Sequence, residues 1–269
     1  MKKNETLIFK ILFLVCIFFL IYNFLNIIKW NKENRKSNEI FENIRKDTSI
    51  VENNNIENII FINPDKDKNS LYWYYASFNF IDVDLNNLLM KNDSTIGWIQ
   101  VPGTKVDYPF VQSTNNNYYL NHSFDNSYND AGWVFLDYRN NIKLTDKNNI
   151  IYGHARKDGT MFGSLKNILK DSWYMNIDNH IIKISTQYEN SLWQIFSVYY
   201  IDTESYYINV NFNNEDFQKY LDKSLERSIY NFEANVNIED KVLTLSTCHG
   251  EKKKLVVQAK LIKKEIKSS

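Results

Sequence analysis

Cysteine is nearly absent: the 269 residues hold two, Cys16 and Cys248. Cys16 lies in an apolar run, so Cys248 is the one thiol of the polar remainder. That excludes an intrachain disulfide framework there. It also excludes a cysteine-rich zinc site, which needs several thiolates. A surplus of basic charge is absent too. Lys and Arg number 32, Asp and Glu 32, and the formal net charge is zero. Nucleic-acid binders show a basic excess or stripe, and the one basic cluster here, Lys252-Lys253-Lys254, is short. No Ala precedes Ala76 and no Gly precedes Gly97. Signal-peptide cleavage needs small residues, so the N-terminal apolar run is expected to stay attached. The histidines are scattered without metal-ligand spacing, so neither a metal nor an organic cofactor is expected.

What is present divides the chain. Residues 7–28 are apolar apart from Lys10, Asn23 and Asn26. As a helix this run reaches about 33 Å, against about 30 Å for a bilayer core. Lys2, Lys3 and Lys10 lie before or within it, and Lys29, Lys32, Arg35 and Lys36 after it, so charge does not favour an outward C-terminal domain. In residues 31–55, Ile40, Ile44 and Val51 repeat at helical spacing, which predicts an amphipathic linking helix. That stretch lacks Gly and Pro and is no flexible linker. Asn63-Pro64-Asp65 marks a turn.

From Leu71 onward, short apolar or alternating runs are separated by turn residues. Strands are expected at 97–101, 132–136, 149–152, 180–185, 192–200, 241–245 and 255–262, a spacing that suggests a barrel or sandwich. A short helix is expected at 161–169. A longer one is expected at 214–227, capped by Asn213 or Asn214, with Phe217, Tyr220, Leu221 and Leu225 as its buried stripe.

Cys248 ends the run Val242-Leu243-Thr244-Leu245-Ser246-Thr247-Cys248, and a strand terminus is a rigid platform for a nucleophile. A lone cysteine is more commonly a buried structural residue. A thiol of ordinary pKa near 8.5 is only slightly ionised at neutral pH, so catalysis needs a nearby base or cation. His154 is the best partner, because it follows an expected strand and Gly153 permits a sharp exit from it. His249 is adjacent to Cys248 in the chain, and neighbouring strand residues point to opposite faces. His122 and His180 read as structural or solvated. An oxyanion formed by thiolate attack needs a donor, and Lys252, Lys253 and Lys254 are the nearby candidates. Alternation gives Lys254, Val256 and Gln258 one face of the last strand, and Lys253, Leu255 and Val257 the other.

Taken together these segments resemble the class B sortases of Gram-positive bacteria. The resemblance is carried by Thr244-Leu245-Ser246-Thr247-Cys248 and by Ile150-Ile151-Tyr152-Gly153-His154. The latter continues into Thr160-Met161-Phe162-Gly163-Ser164-Leu165. Gly97-Trp98-Ile99, Tyr108-Pro109-Phe110-Val111-Gln112 and Phe135-Leu136-Asp137-Tyr138-Arg139 add to it. It implies a mainly β fold, an eight-stranded barrel with peripheral helices, preceded by a transmembrane helix. The implied organisation is a short cytoplasmic N-terminus at 1–6 and a signal anchor at 7–28. A helical stalk with N-terminal helices follows at 29–70, then a catalytic domain at 71–269 outside the cell.

The implied activity is that of a cysteine transpeptidase. Cys248 attacks a threonine carbonyl in the sorting motif of a secreted protein, and a thioacyl enzyme forms. His154 protonates the departing amine and later deprotonates the acceptor, an amine of the cell wall or a pilin lysine. The family arginine falls on Lys254 here, and no Arg follows Arg227. Lys lacks the planar fork of donors, so Lys254 is expected to fill the role less efficiently. Arg139 and Arg156 are the substitutes available from elsewhere in the fold. Ser246, Asn116 and Leu120 match substrate-groove positions. Two alternatives stand beside this reading: a hydrolase using the same pair with water, and a non-catalytic binding module on the same fold.

Overall fold

The computed structural model describes residues 2–53, 58–202, 204–248 and 253–267, the side chains of residues 2–6, 53 and 248 excepted. Helix α1 (Lys2–Asp47) is one uninterrupted helix. Its apolar part is exposed on every side, and it is long and apolar enough to cross a membrane. Anchor and linking helix are therefore a single rod. Along its lower half, Ser37 and Ile44 are buried and Ile40 and Phe41 pack on the core. These positions recur every three or four residues, so one face of the helix lies on the globular part. The helix stops at Asp47. Val51, expected on the helical stripe, instead lies in strand β1 (Ile50–Asn53). There it pairs across to β3 (Phe80–Val83).

Next come β2 (Ile59–Phe61), α2 (Leu71–Ala76), α3 (Asn86–Lys91), β4 (Thr95–Gln100) and β5 (Asp107–Gln112). They are followed by β6 (Phe135–Leu136), β7 (Asn148–His154), α4 (Asp171–Tyr174), β8 (Ile181–Thr186) and β9 (Glu189–Ile201). The chain ends with α5 (Asn214–Arg227), β10 (Val242–Cys248) and β11 (Lys254–Ile266).

Eight strands run in the order β10-β7-β6-β5-β4-β8-β9-β11, and a β10–β11 pairing closes them into a barrel. The pairs β10–β7 and β5–β6 are parallel and the others antiparallel. This is the expected eight-stranded barrel. Strand β2 adds to its outside along β11, so residues before Leu71 contribute a strand rather than helices alone. Inward residues such as Ile99, Leu243, Leu245, Val257 and Ala259 form the main core. Val242, Val256, Phe217, Tyr220 and Leu221 form a second layer, between β10–β11 and α5.

Helix α5 has the expected bounds, and Asn213 caps it by accepting from Asp216 N at 2.8 Å. Its stripe ends on Ser224, and Leu225 is 41% exposed. From Phe217, position 224 returns to within about 20° of the same face, whereas 225 lies about 80° away. The strand expected at 132–136 shortens to Phe135–Leu136, because Gly132 adopts φ +60° in the turn before it. The helix expected at 161–169 is a 3-10 segment, Gly163–Leu169.

Candidate active site

Strands β7 and β10 lie side by side and parallel, each ending at a candidate catalytic residue. The register runs Thr244↔Ile150, Ser246↔Tyr152 and Cys248↔His154. Two residues far apart in the chain thus stand opposite one another, their backbones about 5 Å apart. On the other side of β10, the antiparallel register to β11 includes Leu245↔Val257 and Ser246↔Val256. Leu255 N then donates to Thr247 Oγ1 at 2.9 Å. One further step along each strand meets Cys248 and Lys254. His154, Cys248 and Lys254 therefore occupy one row of backbone positions across three neighbouring strands. Lys254 alternates with Leu255 and shares the face of Val256.

His154 is partly buried, and its Nε2 donates to Leu120 O at 2.7 Å. A carbonyl only accepts, so Nε2 carries a hydrogen. Gly153 does not serve as a sharp exit, because β7 continues through His154. Its physical reason is a close approach: a Cβ there would meet the Phe162 ring at 2.7 Å. Gly132 meets two demands. It has φ +60°, and a Cβ would lie 2.8 Å from His154 Cδ2 and 2.6 Å from Tyr119 O.

A polar network braces β7 one pleat before His154. Tyr152 OH donates to Asp137 Oδ2 at 3.0 Å. The same carboxylate takes Arg139 Nε at 2.8 Å, Arg139 Nη2 at 2.6 Å and Asn116 Nδ2 at 3.0 Å. Burial pushes the Asp137 carboxyl up, but these donors outweigh it and hold it below the usual carboxylate range. Arg139 is thereby occupied, and its Nη2 also donates to Ile208 O at 2.9 Å. Asn116 is held at both ends, since its Oδ1 accepts from Tyr138 N at 3.0 Å. Ser246 is fully buried and shares a 3.0 Å hydrogen bond with Tyr207 OH.

A cavity of about 1030 Å³ adjoins the row. His154, Leu120, Thr247 and Leu255 line it, and Lys253 does so as well. Among the described residues, Lys254, Asn116 and Ser246 do not line it. Part of its wall is α1 itself, at Asn26 and Trp30. The helix is held there by Lys29, which reaches Asp130 at 2.8 Å. Asn129 Nδ2 also donates to Ser37 Oγ at 2.9 Å. Sequence reading did not find this wall. The signal was a stripe at 26, 30, 33, 37, 41 and 44, but its upper half is polar and has no apolar period.

The remaining histidines are structural in character. His122 stacks on Tyr118 at 4.0 Å, and its Nδ1 bonds Tyr118 O at 2.8 Å. His180 is 4% exposed among aromatic rings, and burial holds it below the ordinary histidine pKa against a raising hydrogen bond to Tyr174 O. His249 lies outside the described residues. No group of three or more His, Cys, Asp or Glu assembles among the described residues.

Comparison with known proteins agrees with this geometry. The sortase domain family matches residues 99–262. Sortase B of Listeria monocytogenes is 38% identical over 190 residues, 67% of this chain and 75% of its own length. Sortase B of Staphylococcus aureus is 38% identical over 177 residues, 64% of this chain and 72% of its own. The S. aureus sortase B–substrate complex superposes with a TM-score of 0.63 at 37% identity, over 66% of this chain and 84% of that one. Bacillus anthracis sortase B in complex with AAEK1 covers 86% of this chain and 99% of its own, with a TM-score of 0.68 and 30% identity.

Proposed function

Because the chain belongs to the sortase family, and within it to class B, we propose that Cys248 and His154 carry its transpeptidation, with Lys254 as the charged partner. The single observation that supports this most is the register of Cys248 opposite His154 on parallel strands. In the first step the Cys248 thiolate attacks the carbonyl of a threonine in a peptide sorting motif. A C–S bond forms and the C–N bond breaks. His154 gives a proton to the departing amine. In the second step an amine acceptor loses a proton to His154 and attacks the thioacyl carbon. The C–S bond breaks, and the product amide leaves.

Lys254 supplies positive charge near the developing oxyanion. As a compact ammonium it does so without the bidentate geometry of a guanidinium. The donor is a secreted protein bearing the motif, and the acceptor is an amine of the cell wall or a pilin lysine. The apolar span of α1 anchors the enzyme, and by analogy with the family its barrel lies on the outer side of the membrane.

The test is turnover of threonine-containing peptides by the full-length chain in detergent. Cys248→Ala falls to background, and His154→Gln falls by about 10²–10⁴-fold. Lys254→Arg raises turnover and Lys254→Ala lowers it. Equal rates among the three residues at 254 remove Lys254 from the mechanism. Ligated product on adding an amine separates transfer from hydrolysis. Full activity of Cys248→Ala refutes the assignment.

A further inference from the structure

Helix α1 fixes how far the barrel stands from the membrane. It runs unbroken from Lys2 to Asp47 and holds no Gly or Pro. Its far half is clamped to the globular part. Ser37 and Ile44 are buried, and Asn129 Nδ2 donates to Ser37 Oγ at 2.9 Å and to Glu33 O at 3.2 Å. No kink-forming residue lies between this clamp and the apolar run, which ends at Ile28. The cavity opens between the two. Its α1 wall runs from Asn26 to Glu33, about 10 Å of helix. A headgroup layer is about 5–8 Å deep on each side of the hydrocarbon core. The cavity therefore stands at headgroup depth. Trp30 and Tyr200 on its wall are exposed, the residue types that sit at membrane interfaces. Thr247 and Leu255 also line it, and they alternate with Cys248 and Lys254 along β10 and β11. That part of the wall is a sheet face the nucleophile does not use.

The charge of the cavity is one-sided. Lys29, Arg156, Lys157, Lys166 and Lys253 line it against Glu33 and Asp130. Lys29 already engages both carboxylates, Asp130 at 2.8 Å and Glu33 at 3.5 Å. The whole chain is neutral, so this excess is local. Arg156 is the most constrained of the cations. Its side chain is 9% exposed, and its Nε and Nη2 are buried without a hydrogen-bond acceptor among the described residues. Oδ2 of Asp158 lies 3.7 Å from Nε, beyond hydrogen-bond range, and its Oδ1 accepts from Thr160 N and Oγ1. The Arg156 backbone is fixed, its N donating to His154 O at 3.0 Å and its O accepting from Gly159 N at 3.1 Å. A buried guanidinium short of acceptors is costly unless an anion completes it.

We propose that this cavity holds the headgroup of an anionic phospholipid from the bilayer that α1 crosses, with its phosphodiester on Arg156 and its charge balanced by Lys157, Lys166 and Lys253. The inference goes beyond transpeptidation and rests on the apolar span of α1, not on Cys248. A planar guanidinium meets two phosphate oxygens at once, which supplies the acceptors that Nε and Nη2 lack. The surrounding lysines favour a lipid of net negative charge. A zwitterionic headgroup would bring its own cation among them. The bound lipid ties the barrel to the membrane surface beside the span.

The test uses the full-length chain in nanodiscs of equal parts phosphatidylglycerol and phosphatidylcholine. Native mass spectrometry of the released protein counts the lipids of each class that stay bound. The wild type is expected to retain phosphatidylglycerol over phosphatidylcholine on the order of tenfold. Arg156→Gln brings the two near parity, and Arg156→Lys keeps part of the preference. Arg35→Gln, an exposed α1 change outside the cavity, removes the same charge and keeps all of it. Melting in detergent micelles separates binding from a purely structural role. Added phosphatidylglycerol raises the Tm of the wild type and leaves that of Arg156→Gln unchanged. Where Arg156→Gln fails to fold, Lys157→Gln combined with Lys253→Gln, both at exposed positions, must lower the preference at least about twofold. Inorganic phosphate and glycerol 3-phosphate, at the same concentration as the lipid, are expected to leave Tm unchanged. Stabilisation by either to the same extent assigns the cavity to a soluble anion and overturns the proposal. Equal retention of both lipids by the wild type overturns it too, and so does a preference that survives these cavity substitutions.

Discussion

Replacing Gly132 with Ala perturbs His154, the proposed base, without substituting any residue of the row. Two costs add. The left-handed backbone at φ +60° costs a non-glycine residue about 1–2 kcal/mol. The new methyl meets Tyr119 O at 2.6 Å and Leu120 O at 2.8 Å, which are backbone atoms, and His154 Cδ2 at 2.8 Å. Overpacking of this kind costs about 1–3 kcal/mol. Together they come to about 2–5 kcal/mol, a fall in Tm of roughly 4–20 °C for a domain of this size. The imidazole must retreat by about half an ångström to reach ordinary contact at 3.4 Å. Misplacement near 1 Å costs on the order of 10²-fold in rate, so a loss of about 10-fold or more is expected.

Gly159→Ala is the matched comparison. Its φ is +83°, but its nearest new contact is the flexible end of Lys105 at 3.9 Å. It incurs the backbone cost alone. Melting curves and peptide turnover are measured on both full-length variants. Equal melting temperatures and equal turnover would show that contact with the His154 ring carries no weight.

Other outcomes follow from the same geometry. Gly153→Ala drives a methyl into the Phe162 ring at 2.7 Å and lowers stability by about 1–3 kcal/mol, read by thermal melting. Asp137→Asn leaves Arg139 and Tyr152 without their shared carboxylate and costs about 3 kcal/mol by denaturant titration. The Asp137 folded pKa lies below its unfolded value near 3.9. Its contribution is therefore full above that pH and lost as pH falls through the folded value. His180 has a lowered folded pKa as well, so its contribution is full above the unfolded value near 6.5 and declines below it. Tm should fall from pH 7 to 5, and His180→Gln should flatten that slope. Ser37→Leu overfills a buried site between α1 and Asn129 and lowers Tm, while Lys36→Leu, on the exposed side, leaves it unchanged.

Local chemistry was readable wherever one segment contains its own reason. The cap and stripe of α5, the apolar run of α1 and the ends of β7 and β10 all repeat patterns with periods of two or 3.6 residues. Errors arose where a neighbour overrules the pattern. Val51 joined a strand because β3 offered backbone partners. Gly153 is small because of Phe162, not because of a turn. Leu225 yielded its inward place to Ser224, whose Oγ satisfies itself on Tyr220 O at 2.8 Å.

The sequence by itself determined that one thiol and a strand-end histidine were the reactive candidates. It also determined that the chain carries a membrane-length apolar helix, since composition and short-range periodicity suffice for both. Only the tertiary structure decided that Cys248 stands opposite His154, that Arg139 is consumed by Asp137, and that the anchor helix walls the cavity. Those facts depend on pairing between segments far apart in the chain. Register between distant strands is a property of the closed barrel, and no local run of residues contains it.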